Sequence, residues 1–252
     1  MQKAALYLVG LAGLFLLLGH PTQAGSIASA SDVLTARQQA IITIAALTAK
    51  GDMPRLQQAL GKGLDAGLTV NEEKEVLVHL YAYCGFPRSL RGLNTLVNVL
   101  AERKAQGITD VRGKEASPIT STAPKYERGK KNLEMLTGKP ETGPKTGYAA
   151  LSPEIEVFLK EHLFADLFER DVLTFTEREL VTIAALVSLG GVEPMLQSHL
   201  GIGLHLGVTP AQLRQLLQVA EASIGKKQAD AGRTVLTQVL DPGKQPNSPQ
   251  QK

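Results

Sequence analysis

Residues 174–209 read TFTERELVTIAALVSLGGVEPMLQSHLGIGLHLGVT, and residues 35–69 read TARQQAIITIAALTAKGDMPRLQQALGKGLDAGLT. The two stretches are copies of one design. TIAAL begins at Thr43 and again at Thr182, 139 residues on. One residue is then gained, and Pro54, Leu56, Gln57, Leu60, Gly61, Gly63, Leu64, Gly67 and Thr69 return 140 residues later as Pro194, Leu196, Gln197, Leu200, Gly201, Gly203, Leu204, Gly207 and Thr209. Self-similarity at one fixed period implies two helical units with the same internal packing.

Each unit carries its own helix signals. Thr35 with Gln38, Thr69 with Glu72, Thr174 with Glu177 and Thr209 with Gln212 have the capping-box form, in which side chain and backbone at a helix start satisfy each other. From Ala40 to Ala49 the first helix is apolar on nearly every side, which predicts a position inside the bundle, and Gly51 ends it. Pro54 restarts a helix that Gly67 closes. On the next helix Glu75, His79 and Tyr83 follow at i+4 steps along one face, with Val76, Leu80 and Cys84 beside them, until Gly85-Phe86-Pro87. A last amphipathic helix is expected to turn Leu90, Leu93, Val97 and Leu100 inward.

The organisation expected is therefore all-α: a first repeat over 34–104, a proline- and glycine-rich linker over 105–150, a second repeat over 151–240 and a tail over 241–252. Ser152-Pro153-Glu154 opens a helix before the second repeat, with Ile155, Phe158, Leu159, Leu163, Leu167 and Phe168 as its apolar side. Residues 1–24 place Lys3 before an apolar run and a small-residue site at Ala24, the pattern of a cleaved export signal, so a periplasmic or secreted protein with no stable membrane span is expected.

Trp is absent and aromatics make up only 4% of the chain, so its core must be aliphatic, which suits close-packed helices. The net charge of +3 is scattered, which gives nucleic-acid binding little support. The single Cys84 cannot form an intramolecular disulfide.

These residues resemble the carboxymuconolactone decarboxylase family. The RELVTIAAL run, the His-Leu-x-x-x-Leu-x-x-Gly-Val-Thr run from His199 and the Tyr83-x-Gly85-x-Pro87 turn arrive in family order. The resemblance implies two tandem carboxymuconolactone decarboxylase or AhpD-like helical modules and a symmetric homo-oligomer, in which three two-repeat chains could do the work of six. It also implies one of two chemistries. One is decarboxylation of a small carboxylated lactone, without metal or organic cofactor. The other is disulfide exchange by a Cys-x-x-Cys pair, as in alkyl hydroperoxide reductase partners. The positions for that pair are Val192 and Met195 in the second repeat, and Asp52 and Arg55 in the first, so the dithiol route has no residues here.

The resemblance carries family roles onto Glu179 and His199, a carboxyl and an imidazole able to move a proton and stabilise developing charge. Glu75, His79 and Tyr83 form a second candidate cluster, whose plain alternative is a polar face at a subunit interface. Val219, Ser223 and Ile224 stand where the first repeat has His79, Tyr83 and Cys84. A site borrowing half from each repeat is thus expected, acting on a small organic acid or lactone. Cys84 leaves a single-thiol antioxidant chemistry open, and a non-catalytic ligand-binding scaffold is the third reading. His162 and His205 lack metal-site spacing, and the Gly61-x-Gly63 and Gly201-x-Gly203 pairs lie inside helices, where close approach explains them better than phosphate binding.

Overall fold

The computed structural model describes residues 32–244 and contains helices only. The export signal expected over residues 1–24 lies outside the described residues. The first repeat consists of α1 (Ala36–Lys50), α2 (Met53–Asp65), α3 (Val70–His79) and α4 (Tyr81–Ala105). The second consists of α8 (Phe175–Leu189), α9 (Glu193–His205), α10 (Pro210–Ile224) and α11 (Lys226–Leu240). Between them lie α5 (Lys125–Thr137), α6 (Tyr148–Leu151), α7 (Pro153–Phe158) and a π-helical continuation, Leu159–Leu167.

All four capping boxes form, at Thr35, Thr69, Thr174 and Thr209. Gly51 ends α1 at φ 80°, a left-handed conformation that costs a glycine least. The residue gained in the second repeat is a second glycine there, Gly190-Gly191, both at positive φ. Gly85 and Gly225, 140 residues apart, carry φ 78° and 95°; Gly85 kinks α4 near its start, and Gly225 separates α10 from α11.

α1 and α8 pack on each other at the centre. Ile41, Ile42, Ile44, Ala45 and Ala46 of α1, and Leu180, Val181, Ile183, Ala184 and Ala185 of α8, are fully buried, and one continuous core runs through both repeats. Neither repeat could bury its first helix alone. α10 reaches across to α1, and α3 reaches across to α8. Gly92 and Gly232 mark the matching close approach in each unit: a Cβ there would meet Leu77 at 2.7 Å or Leu217 at 2.8 Å. Gly63 and Gly203 are likewise crowded, whereas Gly61 and Gly201 face open space, so close approach accounts for only one glycine of each pair.

Three expectations are corrected. On α4 the buried residues are Ser89, Gly92, Leu96 and Val99; Leu93 and Leu100 pack against the core as expected, but Leu90 and Val97 are 54% and 63% exposed. Before the second repeat, Ile155 and Phe158 face outward and Glu156 and Lys160 are buried. The π winding there bonds residue i to i+5 in place of i+4, which carries the buried stripe off the α-helical register. Lys160 is tolerated because it donates to Glu141 and Glu156, which Tyr126 and Lys145 also engage. Finally, the stretch 105–150 expected as linker contains α5. This helix docks on the π segment through Gly129, where a Cβ would lie 1.8 Å from the Lys160 carbonyl, and covers a second small core of Leu136, Leu163, Phe164, Leu167, Phe168 and Ile202.

One buried group departs from the repeat symmetry. Glu73 occupies the position of Leu213, and both of its carboxylate oxygens are buried without a partner. Burial, reinforced by Asp110 and opposed by Arg103, pushes its carboxyl up to about 9. A carboxyl raised above its unfolded value stabilises the fold least once pH exceeds that unfolded value, so stability is lost as pH climbs from about 4.5 to 9. Glu73→Leu is therefore expected to stabilise the protein, with a gain over wild type that grows by roughly 3 kcal/mol between pH 4.5 and pH 7. Urea unfolding of both proteins at the two pH values checks this, and a gap that stays constant with pH would count against it.

Candidate functional site

The start of α8 and the end of α3 face each other with charged and polar residues from both repeats. Glu75, four residues before His79 on α3, is fully buried. Its carboxylate accepts from Arg170 Nε at 2.9 Å and from Arg178 at 2.7 Å, so two guanidinium groups of the second repeat clamp one carboxylate of the first. Arg178 is itself fully buried and also donates to the Arg170 carbonyl. Burial pulls its guanidinium down and Glu75 holds it up.

Arg178 extends this network to His79, 3.2 Å from its Nδ1. A guanidinium has donors only, so Nδ1 must accept and the imidazole proton sits on Nε2. That nitrogen donates to Thr182 Oγ1 at 3.0 Å, and the Thr182 hydroxyl donates onward to the Arg178 carbonyl at 2.9 Å. Burial, with Arg178 and then His199 adding to it, drives the His79 pKa well below its usual value, so the ring is neutral. His79 and Glu75, expected as candidate catalytic groups, are enclosed and their ring and carboxylate bonds are taken up within the chain.

Glu179 follows Arg178 on α8 and meets His199 of α9: Nδ1 and Oε2 are 2.8 Å apart. The His199 side chain keeps 14% of its surface exposed, while Glu179 keeps none. Tyr83 lies over this pair, its ring edge-on to His199 at 5.8 Å and tilted against His79 at 5.2 Å. Phe168 closes the far side of His79 at 5.3 Å. The Tyr83 hydroxyl and Glu179 Oε1 are both buried with no hydrogen-bond partner. Burial, and then the Glu179 charge, hold the phenol well above its usual pKa, so it stays protonated. Two unpartnered polar atoms beside the Glu75–Arg178–His79 network, in which Arg178 Nε is also left without a partner, mark where a water or a polar ligand atom belongs. His199 supplies a third, since Nδ1 is engaged by Glu179 and Nε2 has no bond among the described residues. The arrangement offers one proton donor, one acceptor and one group able to be either.

Cys84 stands apart. Its thiol donates to the Leu80 carbonyl at 3.1 Å, and burial pushes it up to about 11, with Arg88 opposing. It packs against the core as a thiol rather than a nucleophilic thiolate. His162 pairs with Asp166, and the His205 ring lies against Gly138. Among the described residues no group of three or more His, Cys, Asp or Glu could hold a metal ion.

Arg170, Arg178, Thr182 and Phe168 are missed by the sequence reading. A signal for Arg178 exists in the repeat itself: it replaces Gln39 of the first copy, beside the change from Ala40 to Glu179. Breaking a buried ion pair leaves an uncompensated charge, so Glu75→Gln is expected to cost roughly 3–5 kcal/mol. Arg178→Met alone should cost a similar amount, and Glu75→Leu combined with Arg178→Met should cost less than the sum of its parts. Denaturant unfolding of the set tests this; strictly additive losses would mean that the two residues do not act on each other.

The model of the carboxymuconolactone decarboxylase family matches the chain twice, over residues 22–97 and 153–238, more than half its length. No curated protein matches it.

Proposed function

Because the chain belongs to the carboxymuconolactone decarboxylase family and carries its module twice, we propose that it performs cofactor-independent acid–base chemistry on a small carboxylated lactone or related organic acid. The reacting site is Glu179, His199 and Tyr83. The observation that carries this reading is the His199–Glu179 bond of 2.8 Å beside a buried Tyr83 hydroxyl that has no partner.

In a decarboxylation the bond from carbon to the carboxylate breaks, its electron pair flows into the conjugated carbonyl, carbon dioxide leaves and a proton is delivered to carbon. Glu179 accepts from His199 Nδ1–H and so orients Nε2 as the group that takes up a solvent proton and hands it to carbon. The Tyr83 hydroxyl supports the developing enolate as a neutral donor. Glu75 and His79 act in this scheme by fixing Arg178, Thr182 and the Tyr83 ring in place. The protonated, engaged state of Cys84 speaks against a thiol route.

Carbon dioxide release from a carboxylated muconolactone is the assay. His199→Ala is expected to lower the rate by about 10²- to 10⁴-fold, the usual worth of a positioned acid or base. Tyr83→Phe should lose at least about tenfold, in the range of a single oxyanion donor or below, and Cys84→Ser should be unaffected. Undiminished turnover in His199→Ala would overturn the assignment.

The apolar run before Ala24 supports export of the chain to an extracytoplasmic compartment. A homo-oligomer is part of the same reading. Phe86, Leu90 and Val97 form an exposed apolar stripe along α4, whereas their internal counterparts on α11 are Lys226, Asp230 and Thr237. The fold itself does not require apolar residues there, which suits a face covered by a second copy. Leu90→Asp with Val97→Asp is expected to lower the molar mass measured by light scattering to that of one chain; an unchanged mass places the interface elsewhere.

A further inference from the structure

The Glu179–His199–Tyr83 site has a counterpart in the other half of the molecule. By the repeat offsets, Glu179 corresponds to Ala40, Thr182 to Thr43, His199 to Ala59 and Tyr83 to Ser223. Glu179 and His199 are thus both reduced to alanine around one point, and Tyr83 to serine on the neighbouring helix. What remains is a cavity of about 180 Å³ between α1 and α2, lined by Ala40, Thr43, Leu47 and Ala59 with Arg55, Gln58 and Lys62 around them. At roughly 30 Å³ of liquid volume per water, it has room for about six waters, or for one compact organic molecule.

Its rim differs from that of the first site as much as its floor does. Arg55 and Lys62 replace Met195 and Ile202. Arg55 spans toward α10, donating to the carbonyls of Ser223 at 2.7 Å and Ala222 at 2.6 Å, with Asp52 at 3.8 Å as its ion-pair partner. Lys62 has no carboxylate partner among the described residues. The Thr43 hydroxyl donates to Gln39 O at 2.9 Å, so it presents acceptor lone pairs only. An apolar floor of two alanines and a leucine with an unpaired ammonium at the rim fits a molecule with an apolar body and one negative head. Nothing in this cavity can exchange a proton as His199 does.

We propose that this cavity is a second, non-catalytic site that binds a small monocarboxylate of apolar body, the carboxylate meeting Lys62 and the body lying on Ala40, Leu47 and Ala59. The proposal does not depend on which reaction the first site performs.

The probe is benzoate, titrated into the ¹⁵N-labelled protein and followed by backbone amide shifts. Saturable shifts are expected at Thr43, Ala59 and Lys62. Benzyl alcohol, of similar size but neutral, should bind about fivefold more weakly, and Lys62→Gln should weaken benzoate by a similar factor, the worth of one exposed charge contact. Ala40→Leu fills the cavity and should abolish the shifts, while His199→Ala should leave them unchanged. If the shifts centre on His199 and Tyr83 and vanish in His199→Ala, or if neither Lys62→Gln nor Ala40→Leu weakens binding, the proposal is wrong. Because Lys62 is exposed, its variant reports even where Ala40→Leu fails to fold.

Discussion

Everything in this molecule follows from two helices that are apolar on nearly every side. α1 and α8 carry isoleucine, leucine, valine and alanine around their full circumference, and no single layer of neighbours can cover them. Packed against each other and wrapped by the remaining helices of both repeats, they form one core. The tandem arrangement is therefore one cooperative unit rather than two beads joined by a tether. α3 comes to lie against α8, and α10 against α1, because the open flank of each central helix faces the other repeat.

That crossing determines the chemistry of the interior. α3 brings Glu75 and His79 into the fully buried interior, where an isolated carboxylate would be prohibitively costly. The second repeat answers with Arg170 and Arg178, and the surplus donors of Arg178 fix the tautomer of His79. The relay runs from Glu75 through Arg178 and His79 to Thr182, with Arg178 Nε left unpaired in it. Beside it the accounting stops closing: the Tyr83 hydroxyl and Glu179 Oε1 are left over. A rigid, hydrogen-bonded scaffold next to a few open polar atoms is the arrangement that presents a ligand with groups already oriented.

The two halves diverge where symmetry would have made two equal sites. Glu179, His199 and Tyr83 gather on one side; Ala40, Ala59 and Ser223 stand on the other, with a cavity beside the two alanines. Backbone features kept in both copies, such as the glycines at 92 and 232 or at 85 and 225, serve packing and helix breaks. Side chains at the two clefts are free to differ because the core does not need them. Glu73 against Leu213 is a similar divergence inside the core, and there it costs stability.

The sequence by itself determined the helical class, the two repeats and the capped helix starts, because these rest on local periodicity, backbone capping and a fixed internal offset; Glu179 and His199 were singled out by the family resemblance, and their hydrogen bond is seen only in the structure. It also placed Glu75, His79 and Tyr83 on one face. Their different situations, two enclosed and bonded and one with an unpartnered hydroxyl, were decided only by the tertiary structure, since they depend on Arg170, Arg178 and Phe168 arriving from nearly a hundred residues away. The faces of α4 and α7 were misread for a related reason. Hydrophobic periodicity identifies an apolar stripe but not whether it meets the chain's own core, and a π-helical turn shifts the register that an α-helical period assumes. Helix α5 was invisible because, beside Leu133 and Leu136, its docking uses Gly129 and Asn132, a close backbone approach and one amide bond to the Phe164 carbonyl, which leave too short an apolar pattern to read.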